Sequence, residues 1–330
     1  MTNDDERPQL DPLAPYPTLA ERDAGSLPEP ELYEGVPAHL AIHLRNWAAQ
    51  VLREQEDLAT RITTRCRMSW TVTLKTPRGG NRLLTSREVL NRFMSGRTTG
   101  ITTVRPLDRL TLVDAIVRLH PAWDLDWSNW PERDKGERWA QLLIELHDLL
   151  QDCGSAWYFD ADLRGLYRRV DPTATDAWRH ARKAAEAANR ATASEWLATS
   201  WRELYGQHPD PSASYSAAVK AVENAALPVV FPDRKERGKK PTVHQVRTEL
   251  RKNGDQWRFS ISEDDTVQAG HGSIEVVATM LDRLLRGETA RHADDENRPS
   301  DQAEAAAAVH LAVVLVQWFV TGAIQPRESS

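Results

Sequence analysis

The chain has little cysteine: two in 330 residues, Cys66 and Cys153. Their spacing offers no metal-ligand pair and no disulfide framework, which fits a reducing cytosol. Net basic charge is also lacking. The formal net charge is −6, so no global field draws in nucleic acid, and any such binding needs a local patch. The amino-terminal run MTNDDERPQL carries no basic and apolar signal region, so a cytoplasmic rather than secreted protein is expected. No nucleotide fingerprint is present. PRGGN at Pro77–Asn81 lacks the Lys and Ser/Thr of a phosphate loop and reads as a hairpin turn. No nucleophile–base pattern, helix-turn-helix or internal repeat is visible. Phe and Tyr are sparse, five and six against twelve Trp, and this bias points to no particular function.

What is present is ordinary globular material, with 40% hydrophobic and 27% charged residues. The length suffices for two domains, each with its own core. Residues 1–32 hold six Pro, many acids and little apolar periodicity, the signature of a disordered tail. Residues 33–170 read as a mixed α+β module of unassigned role. A first helix is expected near Pro37–Arg65, with Leu40, Leu44, Trp47, Val51 and Leu58 as its apolar stripe. Met68–Thr76 alternates like a strand, with a short partner at Arg82–Leu84 and a possible third strand at Ile101–Val104. Thr85 and Glu88 form a capping-box pattern, and Leu110–Leu119 is a short helix. The Trp-rich segment Trp123–Trp139 leads into a helix with Leu142, Leu143, Leu146 and Leu149 on one face, followed by a loop around Cys153–Asp160. Residues 171–330 read as helical: a long helix within Thr173–Tyr205, another from Ser214 to Leu227, and a short one at Val243–Lys252, then a possible strand at Trp257–Ile261. The expected fold is therefore mainly α, a carboxy-terminal helical bundle preceded by a smaller α+β module.

The most organised stretch is Gly272–Ile324, two apolar helices joined by a polar loop. Ile274, Val277, Leu281 and Leu284 recur at helical spacing, Ser273 can cap the start, and Gly287 is placed to end the helix. Ser300 can cap the second helix, with Asp301 and Glu304 complementing its dipole. Ala305–Ile324 is uncharged and about the length of a membrane span. A tail anchor is thus one reading. His310 and Gln317 on one face, and acids rather than Lys or Arg ahead of the segment, favour a buried bundle helix.

Arg286 ends the first of these helices and His292 follows in the loop, with five residues between them. That pair suits metal-independent RNA cleavage. A base with a near-neutral pKa must take the 2′-hydroxyl proton, and a fixed guanidinium must steady charge on the phosphoryl oxygens. The bland reading is Arg complementing a helix dipole and a solvated His. The run from Gly272 through HLAVVLVQWF, with the earlier helix SAAVKAVENAALPV, resembles the carboxy-terminal region of abortive-infection proteins of the Abi-C type, within the broad group of HEPN helical domains. The resemblance covers about residues 212–324 and reaches, as site residues, only Arg286 and His292. It implies a helical HEPN-like domain, a ribonuclease needing no cofactor or metal, a role in phage defence or growth arrest, and a homodimer that pairs two motifs. Gly287 and Ala293 depart from the family pattern after the Arg and the His, and Asp294, Asp295 and Glu296 crowd the His. A non-catalytic helical assembly protein is the alternative.

Three further constellations are weaker. Arg234, Lys235, Arg237, Lys239 and Lys240 form the best local patch for RNA phosphates, or else a solvated loop. His39 and His43 are spaced i, i+4 without a third metal ligand. Asp124 and Asp126 lie among Trp123, Trp127 and Trp130, a pattern that suggests a carbohydrate or metal cleft, although Trp in such a loop more often covers the edge of a core.

Overall fold

A computed structural model of the chain describes residues 32–125, 132–232, 242–261, 273–293 and 299–327, with the side chains of 132, 273 and 286–293 outside the description. Among the described residues it is mainly helical, 64% helix with eleven helices and few short strands. The chain divides into two compact units, Met1–Arg169 and Val170–Ser330. The amino-terminal tail of residues 1–31 lies outside the described residues.

In the first unit the apolar stripe expected over Pro37–Arg65 forms two helices rather than one, α1 (Ala38–Val51) and α2 (Glu56–Arg65). The break is made by Glu54, whose φ of 63° puts it in the left-handed region, where a non-Gly residue is uncommon. The reading of Met68–Thr76 as one strand is also corrected. β1 (Met68–Trp70) pairs antiparallel with β4 (Ile101–Thr103), while β2 (Thr73–Lys75) forms a separate hairpin with β3 (Asn81–Leu83). The turn of that hairpin holds Gly79 at φ 84°, the conformation glycine adopts without penalty.

Helix α3 (Ser86–Met94) starts at a complete capping box. Thr85 Oγ1 accepts from the Glu88 N–H, and Glu88 accepts from the Thr85 N–H at 2.8 Å. Arg82 grips the same carboxylate with both nitrogens, at 2.6 and 2.7 Å, and holds the Glu88 carboxyl well down, at about 2. Thr85→Ala is expected to cost about 1 kcal/mol in a urea unfolding transition, and Thr85→Ser close to nothing.

Helix α4 (Arg109–Leu119) is followed by a 3-10 turn at Pro121–Asp124, and α5 (Glu132–Asp152) follows. The loop expected around Cys153–Asp160 is largely a hairpin, β5 (Trp157–Asp160) with β6 (Gly165–Arg168). An ion pair ties α4 to this hairpin. Arg118 Nε donates to Asp114 at 2.7 Å, the same carboxylate accepts the Leu166 N–H at 2.8 Å, and Arg118 Nη2 donates to the Tyr167 hydroxyl at 3.2 Å. A Cβ added at Gly165 would fall 2.3 Å from the Arg118 guanidinium, so only glycine allows this approach. Leu44, Trp47, Ile62, Leu90, Val113 and Leu146 are among the fully or nearly fully buried side chains of this core.

The second unit begins with α6 (Pro172–Ala187) and α7 (Ala191–Tyr205), where the sequence reads as one long helix. Asn189, at φ 59°, turns the chain between them. α8 (Pro211–Val230) is almost wholly buried along one side, and it carries Pro228 in its last turn. α9 (Val243–Lys252) packs on α10 (Ser273–Ala293), joined by an ion pair in which Arg247 donates to the buried Asp282 at 2.6 Å. α11 (Gln302–Val320) opens at Asp301, not Ser300, through a capping box with Glu304. Ile324–Pro326 (β8) pairs antiparallel with Trp257–Phe259 (β7).

Among the described residues α11 is the one helix long and apolar enough to cross a membrane, by length and composition alone. Here it packs against α6, α7 and α8, and Ala305, Val309, Ala312, Val316 and Phe319 are fully or almost fully buried. Its apolarity is thus used as the centre of a bundle. Stacked on it is an aromatic ladder. Trp178 and Trp201 stack at 4.8 Å, Trp201 meets Tyr205 at 4.6 Å, and the Tyr205 hydroxyl lies 2.9 Å from His310 Nε2.

Candidate functional site

The buried face expected for α10 is present: Ile274, Val277, Leu281 and Leu284 are all 3% exposed or less. The expected stop at Gly287 is not. α10 continues unbroken to Ala293, so His292 lies on the helix and not in the loop after it. A single interior Gly costs only about 1 kcal/mol, which Glu288, Ala290 and Arg291, all good helix formers, offset in part. Continuity fixes the register of the pair. Six residues along an α-helix are about 9 Å along the axis and about 120° apart around it. Arg286 and His292 therefore occupy different sides of one helix. Their side chains lie outside the described residues, as do Arg234, Lys235, Arg237, Lys239 and Lys240 of the basic loop and Asp126, Trp127 and Trp130.

Two of the remaining sequence candidates, His39 and Trp123, have structural partners. His39 Nε2 lies 3.2 Å from the Cys153 carbonyl and its ring meets Tyr33 edge-on. Trp123 donates its indole N–H to the Val117 carbonyl at 2.6 Å and packs edge-on against Trp139, covering the end of the first core. Cys66 and Cys153 are free, half-buried thiols whose pKa burial pushes up, so neither is an activated nucleophile. Among the described residues no three His, Cys, Asp or Glu come together as a metal-ligand set.

The structure adds a site that the sequence did not reveal. A cavity of about 680 Å³ opens in the first unit, walled by three separate segments. The first is the end of α1 with its left-handed turn, bringing Arg53 and Glu54. The second is the 3-10 turn, bringing His120, Pro121 and Ala122. The third is α5, where Lys135, Arg138, Trp139 and Leu142 share one face at helical spacing. His120 is the fixed point. Its Nδ1 accepts the Ala122 N–H at 3.2 Å, which leaves the neutral ring protonated at Nε2. Its ring stacks on Trp139 at 3.8 Å with the planes 8° apart. Burial pushes its pKa down to about 4, so the ring is uncharged at neutral pH. Arg53, Lys135 and Arg138 are exposed cations with no ion-pair partner among the described residues. Only Glu54 among the lining residues opposes them.

A second, shallower cavity of about 420 Å³ lies in the other unit between the start of α6 and Gln317, with Asp176 and His180 on its wall. It brings together no charge cluster comparable to the first. No protein-family model, curated protein or solved structure matches this chain.

Proposed function

We propose that the second unit is a metal-independent RNA endonuclease of the cytosol, acting in phage defence or growth arrest, with His292 as general base and Arg286 as phosphate clamp. His292 takes the proton of a 2′-hydroxyl, the 2′-oxygen forms its bond to the adjacent phosphorus, and the bond to the 5′-oxygen breaks, leaving a cyclic phosphate end. The observation that supports this is the pair itself, held at a fixed spacing on one continuous helix. The two positions diverge by about 120° around the helix axis. The reading includes a homodimer, in which each copy's His292 works with the other copy's Arg286. The basic loop of Arg234, Lys235, Arg237, Lys239 and Lys240 supplies phosphate contacts, which weaken with salt.

The same register supports a second reading, a non-catalytic assembly module. In that case Arg286 and His292 are ordinary polar positions near a helix end, and Asp294, Asp295 and Glu296 follow the His in sequence, a composition ill suited to binding phosphate.

RNA cleavage in EDTA separates the two. Wild-type dimer is expected to give cyclic phosphate ends, and His292→Ala, with its helicity intact by circular dichroism, to lose at least 100-fold in rate. Equal cleavage by the variant, or none by a dimer confirmed by sedimentation, leaves the assembly reading.

A further inference from the structure

We infer that the cavity between the left-handed turn, the 3-10 turn and α5 is a binding site for a small organic anion with a flat apolar body. Its size falls within the range of small-molecule pockets, at about 680 Å³. Its charge sets the class of ligand. Arg53, Lys135 and Arg138 against Glu54 give a formal +2 (three cations less one carboxylate), with His120 neutral, in a chain whose net charge is −6. Cations clustered on a concave wall, without carboxylate partners among the described residues, concentrate anions there.

Apart from Gln50 and Gln55, the rest of the wall is apolar. Val51, Pro121, Leu125 and Leu142 line it beside the Trp139 indole, which favours a ligand with a flat apolar body. The site is also preorganised. The His120 ring is held by the Ala122 N–H on one side and by the Trp139 stack on the other, and Lys135 and Arg138 stand one turn apart on a rigid helix. This assignment concerns the first unit alone and is independent of whether the second unit cuts RNA.

Phenyl phosphate, benzoate and benzyl alcohol, titrated into the full chain by calorimetry, test it. Both anions are expected to bind saturably and benzyl alcohol not to bind. Lys135→Gln and Arg138→Gln should each weaken the anions about tenfold, as loss of one charge-assisted contact does. Lys75→Gln removes the same charge from the exposed β2–β3 hairpin and should leave affinity unchanged. Glu54→Gln should tighten binding. A preference of phosphate over carboxylate, or the reverse, names the head group. The inference is overturned if neither anion binds, if benzyl alcohol binds as well as they do, or if Lys75→Gln weakens binding as much as the two cavity variants.

Discussion

Trp201→Ala is expected to destabilise the second unit by about 3–5 kcal/mol, the range for deleting a fully buried indole. Trp201 is 0% exposed and lies between Trp178 and Tyr205 at the point where α6, α7 and α11 meet. Its loss leaves a cavity that three rigid helices cannot close, and it removes ring contacts with Trp178, Tyr205 and His310 besides. Trp201→Phe should cost much less. The indole N–H of Trp201 is buried without a hydrogen-bond partner among the described residues, so the swap removes an unsatisfied donor along with some ring area. Trp178 differs, because its N–H donates to the Leu197 carbonyl at 3.2 Å. Trp178→Phe should therefore cost more than Trp201→Phe. Urea unfolding followed by far-UV circular dichroism measures all three. Equal costs for the two Phe variants would contradict this account.

The second large effect is on pH dependence. His120 is held near pKa 4 in the folded chain, against 6.5 in a free histidine. The folded value is the lower one, so the unfolded chain takes up the proton first as pH falls. At pH 7 the ring is neutral in both states and nothing is lost. Between about pH 6.5 and 4 stability declines by up to about 3 kcal/mol, and below pH 4 this loss stops growing. His120→Asn keeps an acceptor for the Ala122 N–H but does not titrate. It should be less stable than wild type at pH 7, having lost the stack on Trp139, and should have a flatter slope down to pH 4.5. Burial also lowers the pKa of His310, which adds a decline of the same sign that both proteins share. Glu88, held at about 2, loses its contribution only as pH falls below the usual carboxylate range. The difference between the two proteins over pH 6.5–4.5 therefore isolates His120.

Local chemistry explains which features could be read ahead of the structure. Val243–Lys252 and the capping box at Thr85 depend on residues within one or two turns of each other, and both are present as expected. The buried face of α10 follows from spacing alone. The breaks at Glu54 and Asn189 were hidden, because the chain turns there in the left-handed region without a Gly or Pro to signal it. Gly287 misled in the opposite direction, since a glycine permits a helix end but does not impose one. The β5–β6 hairpin escaped because its strands are buried on both faces, with Tyr158, Phe159, Leu166 and Tyr167 all buried, and so do not alternate. The cavity was beyond reach for a different reason. Arg53, His120 and Arg138 belong to segments far apart in the chain, and only tertiary packing makes them neighbours.

The placement of α11 has a kinetic consequence. It is the last helix of its unit to be synthesised, yet it packs against the first, α6, as well as against α7 and α8. Until residues 302–320 leave the ribosome, the side of α8 that packs on α11 lacks that cover, although α8 also packs on α7, and the aromatic ladder has no His310 to close it. The unit therefore waits on a closure between distant parts of the chain, which slows folding and prolongs the exposure of sticky surface. Nascent chains stalled before that point are expected to be strong chaperone clients, and release of the final helix to end that dependence.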